Sequence, residues 1–66
     1  MIVHINGEKR EIAAELSVAQ LLQELGIHPG RVVVELNRAV IARGSYDTTF
    51  LKEGDNIEIV HFVGGG

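Results

Sequence analysis

The sequence predicts a two-layer α+β domain, one helix packed across one mixed sheet of four to five strands. Three observations lead there. Apolar runs with β-branched residues stand at both ends and in the middle of the chain, around residues 2–5, 31–36 and 56–63. A single stretch after Ser17 repeats its apolar residues at helical spacing. The chain has 66 residues, 45% of them hydrophobic, which is enough for one domain with a thin core and no more.

The elements come in order along the chain. Met1, Val3 and Ile5 share one strand face by the period of two, with His4 facing outward. Asn6-Gly7 then predicts a type I′ turn, because both residues tolerate positive φ, and 8–12 returns as the second strand. Ser17 can cap a helix start, and Gln20 three residues on completes a capping box. Val18, Leu21, Leu22 and Leu25 form one apolar stripe, Gly26 supplies a left-handed cap, and Pro29 prevents the helix from resuming. Residues 31–36 read as a central strand with Val32, Val34 and Leu36 on one face and Val33 and Glu35 on the other. Asn37-Arg38 turns the chain into a short strand over 39–42. Residues 44–49 read as loop, with Tyr46 and Phe50 returning to cover the core. Residues 51–55 read as a turn before the final strand, 56–63. There Ile57, Ile59 and His61 share one face; Glu58, Val60 and Phe62 share the other. The order ββαβββ, with an opening hairpin, a single helix and a late last strand, suggests a β-grasp. That fold would pair the first and last strands in parallel, which periodicity alone does not reveal.

Composition excludes several functions. The chain contains no cysteine, so it offers no disulfide, thiolate zinc site or cysteine nucleophile. That fits a reducing cytoplasm, the expected location. The first four residues do not read as a signal peptide, and no apolar run approaches the roughly 20 residues of a membrane span. Six Lys and Arg are scattered, and the formal charge is −3; no basic face for nucleic acid is expected. The acidic balance serves solubility or a basic docking surface on a partner. His4, His28 and His61 lack ligand spacing, so no metal is expected, and His61 is read as hydrogen-bonded near the strand end. Ser17 is a helix cap with no triad around it. Glu53 and Asp55 read as solvated turn carboxylates. No catalytic residue is expected on this chain.

The glycine terminus is the one feature that composition leaves unexplained. Gly64-Gly65-Gly66 directly succeeds an apolar strand. A frayed end is one reading. The other is a flexible tail over 64–66, appended to a domain over 1–63. Extended, it would reach about 10 Å, with no side chain to widen it. Such a tail could thread a narrow channel and present the Gly66 carboxylate to another protein's active site. A terminal carboxylate is ionised at neutral pH and a poor electrophile, so acyl adenylation by ATP on a partner is the natural activation. Alternation also puts Phe62, with Val60, opposite the core-facing Ile57 and Ile59. Phe62 then serves either as a docking anchor beside the tail or as packing for the core on the helix side or at the sheet edge.

Ile5-Asn6-Gly7-Glu8, Val34-Glu35-Leu36-Asn37-Arg38, Gly54-Asp55-Asn56-Ile57-Glu58 and the terminal Ile59-Val60-His61-Phe62-Val63-Gly64-Gly65-Gly66 together resemble the ThiS family over the whole chain. These are ubiquitin-like sulfur carriers of thiamine biosynthesis. The resemblance implies that a ThiF-type adenylyltransferase activates Gly66 with ATP. A sulfur-relay protein then converts it to a thiocarboxylate, and a ThiG-type thiazole synthase receives the sulfur. Gly64 and Gly65 would thread the partner site, and Phe62 and Val60 would dock. The chain would be a co-substrate, not an enzyme, and would bind no cofactor itself. Competing readings are a MoaD-like carrier for molybdopterin synthesis, a modifier conjugated to lysines, and a β-grasp binding module without carrier chemistry.

Overall fold

The computed structural model describes residues 1–62. The expected strand end at Val63 and the tail Gly64, Gly65 and Gly66 lie outside the described residues. Strand β1 (Ile2–Ile5) and β2 (Glu8–Glu11) form the opening hairpin; helix α1 (Val18–Glu24) comes next; β3 (Val32–Leu36) and β4 (Ala39–Ile41) form a second hairpin; β5 (Asn56–His61) comes last. The sheet runs β2-β1-β5-β3-β4. β1 and β5 are parallel through His4–Asn56 and Ile5–Ile57, while β3 and β5 are antiparallel from Val32–His61 to Leu36–Ile57. This is the β-grasp arrangement.

Local chemistry accounts for the elements. The Asn6-Gly7 turn has φ of 50° and 81°, as a type I′ turn requires. Asn37-Arg38 repeats that geometry at φ 51° and 74°; Arg38, with a Cβ in the left-handed region, costs roughly 1 kcal/mol there. The capping box forms in full: Gln20 N–H donates to Ser17 Oγ at 3.1 Å and Ser17 N–H donates to Gln20 Oε1 at 2.9 Å. The helix ends as a Schellman motif. Gly26 stands at φ 72°, its N–H bonds the Gln23 carbonyl, and Ile27 N–H bonds that of Leu22. Edge strand β2 is exposed throughout and reads Glu-Lys-Arg-Glu, a charged border that resists pairing with other chains.

The core lies between α1 and one sheet face. Val18, Leu21 and Leu22 of the helix meet Val3, Ile5, Val32, Val34, Ile57 and Ile59 of the sheet, with Tyr46 and Leu51 closing the end. Residues 31–36 were expected to form a central strand, and β3 is interior, between β5 and β4; the middle position itself belongs to β5. Two expectations change here. Phe50 was expected to cover the core, yet it is 54% exposed, while Leu51, expected in a turn, is 3% exposed. The cause is extended backbone: Phe50 bridges Ser17 antiparallel, with Val18 N–H bonded to the Thr49 carbonyl and Leu51 N–H to that of Leu16. Alternation turns Leu51 inward and therefore Phe50 outward. The turn carboxylates are also held: Glu53 Oε1 accepts from Ile2 N–H at 3.0 Å, and Asp55 accepts from Lys52 N–H at 2.7 Å and from Asn37 Nδ2 at 3.0 Å.

This packing sets an expected contrast. Leu51→Ala should lower unfolding free energy by about 2–5 kcal/mol, whereas Phe50→Ala should stay within roughly 0.5 kcal/mol. Urea unfolding followed by circular dichroism measures both, and equal losses would contradict the packing described.

Candidate functional site

Strand β5 divides its residues between two tasks. Ile57 and Ile59 are buried in the core, while Val60 and, just past the strand, Phe62 are 54% and 57% exposed. Both exposures agree with the alternation read from the sequence. Phe62 is still held by the sheet, because its N–H donates to the Arg31 carbonyl at 3.0 Å. Across the strands Val60 stands opposite Val33, and Glu58 opposite Glu35; Glu35 in turn faces Val40 on β4. The outer sheet face is thus apolar where the chain leaves it, at Val33, Val60 and Phe62, and acidic toward the other end, at Glu35 and Glu58. Val40, 66% exposed, adds an apolar side chain at the edge. The sequence reading did not single out Val40; its place in a three-residue edge strand, one position from Ala39 and Ile41, was the available signal.

His28 Nδ1 accepts from Gly30 N–H at 2.9 Å, capping the short 3-10 turn Pro29–Arg31. His61 is exposed on the helix side, beside Ile59, Leu25, Ile27 and Arg10. Its expected side-chain hydrogen bond is not formed with any described residue. Among the described residues no three His, Asp or Glu side chains gather as metal ligands, and no helix is long and apolar enough to cross a membrane. The described surface presents Val40, Val60 and Phe62 as exposed apolar side chains on the outer sheet face and its edge.

The sequence matches the ThiS family over residues 3–66. The chain belongs to that family. It is 40% identical over 66 residues to the sulfur carrier protein ThiS of Bacillus subtilis, a match covering 98% of this chain and 100% of that protein. The crystal structure of a thiamine biosynthesis protein (ThiS) from Geobacter metallireducens superposes with a TM-score of 0.88 at 38% identity, covering all of both chains. A thiazole synthase of Magnetococcus marinus is 47% identical over 66 residues; there the chain spans only 20% of the relative's length. The ThiS match reaches the three terminal glycines, so the residues that the sequence reading singled out lie within the family's extent.

Because Phe62 is exposed, Phe62→Ala should change unfolding free energy by no more than roughly 0.5 kcal/mol. A loss of several kcal/mol in urea titration would place the ring in the core instead.

Proposed function

We propose that this chain is a sulfur carrier for thiamine biosynthesis, with the Gly66 carboxylate as the loading point. The observation that carries the reading is the match to the Bacillus carrier across that protein's whole length, on a fold whose described surface holds no catalytic cluster of its own. A carboxylate oxygen of Gly66 attacks the α-phosphorus of ATP on a ThiF-type enzyme; pyrophosphate leaves and an acyl adenylate forms. A sulfur nucleophile from a relay protein then attacks the acyl carbon and displaces AMP. With a persulfide as that nucleophile the product is an acyl disulfide; a second thiol on the relay protein attacks the donor sulfur, supplies the two electrons that break the S–S bond and ends in a disulfide with the donor, and the thiocarboxylate is released on Gly66. The thiocarboxylate is softer and more nucleophilic than the carboxylate it replaces, so the same terminus becomes a sulfur donor. The chain works as a recycled co-substrate, and ATP belongs to the activating enzyme.

The body's part is binding. Among the described residues Phe62 and Val60 are the exposed aromatic and aliphatic groups closest to the tail, the kind of anchor that dominates small interfaces. Gly64 and Gly65 carry no side chain, which suits passage through a close-walled channel. A thiazole synthase of the ThiG type is the favoured acceptor, because the Magnetococcus thiazole synthase contains a segment 47% identical to this chain.

The reading requires a free carboxylate on Gly66. Incubation with ATP and a ThiF-type enzyme should release pyrophosphate, and coexpression with the sulfur-loading proteins should give the intact-mass gain of an oxygen-to-sulfur exchange. One residue added after Gly66 should abolish both; unchanged adenylation of that extended chain overturns the reading. Gly65→Val should block activation while leaving the unfolding curve as it is. Phe62→Ala should weaken binding to the activating enzyme by about tenfold or more, measured by calorimetry. A thiazole-synthase assay run against a molybdopterin-synthase assay identifies the acceptor.

A further inference from the structure

The two type I′ turns do more than reverse the chain. β1 pairs with β5 at only two positions, His4–Asn56 and Ile5–Ile57, and then turns away at Asn6-Gly7. β5 continues to His61, and on the β1 side its remaining backbone groups would have no neighbour. Asn6 fills that gap twice. Its backbone N–H bonds the Ile57 carbonyl at 2.8 Å. Its side-chain carboxamide then mimics a strand peptide: Oδ1 accepts from Ile59 N–H at 2.7 Å and Nδ2 donates to the Ile59 carbonyl at 3.3 Å. The ladder is thereby carried one rung past the end of β1, toward Phe62. On the opposite side the last rung is Phe62 N–H on the Arg31 carbonyl. Ile59 is 6% exposed, so without Asn6 its amide would be left poorly hydrated and unpaired.

We infer that Asn6 is a positioning residue for the carrier's binding strip: its carboxamide holds the exit end of β5 on the edge that β1 abandons, and so fixes where Val60 and Phe62 are presented. The role rests on the sulfur-carrier reading. A matched control exists at the other end of the same strand. Asn37, in the second type I′ turn, accepts from Asn56 N–H through Oδ1 at 3.0 Å and donates to Asp55 through Nδ2. It clasps the entry of β5, far along the strand from the tail. Both asparagines sit at φ near 50°, which glycine adopts freely, so Asn6→Gly and Asn37→Gly each delete one clasp and keep the turn.

The test measures amide exchange, urea stability and steady-state adenylation by a ThiF-type enzyme at saturating ATP, with the carrier as varied substrate. Asn6→Gly should speed exchange at the Ile59 amide by roughly tenfold. It should raise the carrier's KM by about five- to tenfold while kcat stays within about twofold. Asn37→Gly should lose comparable stability and keep its KM near that of the natural chain. Asn6→Asp, which retains the acceptor to Ile59 N–H and not the donor, should fall between. An unchanged KM in Asn6→Gly, an equal rise in Asn37→Gly, or unaltered Ile59 exchange each overturns the positioning role. If the natural chain itself is not adenylated, the carrier reading fails instead, while the exchange data still report on the clasp.

Discussion

The insertion of the last strand between the first and third is the interaction on which the molecule depends. The two hairpins, β1-β2 and β3-β4, do not pair with each other; β5 joins them, parallel to one and antiparallel to the other. Parallel pairing of the chain's two ends closes a loop of some 50 residues, an entropic cost that grows only slowly with length. Burial of Ile57 and Ile59 against α1 offsets it. Side chains from the turns secure the insertion: Asn37 and Asp55 at the entry of β5, Asn6 near its exit.

That insertion also gives the strand two faces with different duties. The pleat that sends Ile57 and Ile59 into the core sends Val60, and beyond the strand Phe62, out to solvent. Stability and display are therefore coupled through one backbone. The residues that anchor the strand are neighbours of the exposed ones, and Val60 and Phe62 lie outside the core that Ile57 and Ile59 fill. A carrier benefits from this separation. On the proposed reading, the exposed strip serves recognition and the chemistry is left to Gly66.

Much of this was legible before any coordinates. The capping box at Ser17 and Gln20, the Gly26 stop, the Asn6-Gly7 turn and the helix stripe are local, set by contacts within four or five residues, and sequence spacing reports such contacts directly. The outward position of Val60 and Phe62 was legible for the same reason, since alternation needs only the strand itself. Phe50 was misread because its direction depends on a single bridge to Ser17, more than thirty residues away; composition made it look like core, and hydrogen bonding to a distant segment turned it out. The side-chain rungs made by Asn6 and Asn37 were hidden similarly. Asparagine in a turn is fully explained by its tolerance of positive φ, and nothing local says that its carboxamide also reaches another strand.

By itself the sequence determined the fold class, the helix and its caps, the type I′ turn at Asn6-Gly7, the two faces of the last strand and the family resemblance, because each rests on short-range periodicity, turn stereochemistry or a contiguous motif. Only the tertiary structure decided that β5, and not β3, is the middle of the sheet, that Leu51 and not Phe50 closes the core, and that Asn6 extends the ladder toward the terminus. Those outcomes come from pairings between segments remote in the chain, whose register is fixed by the shared hydrophobic core and not by the residues on either side of them.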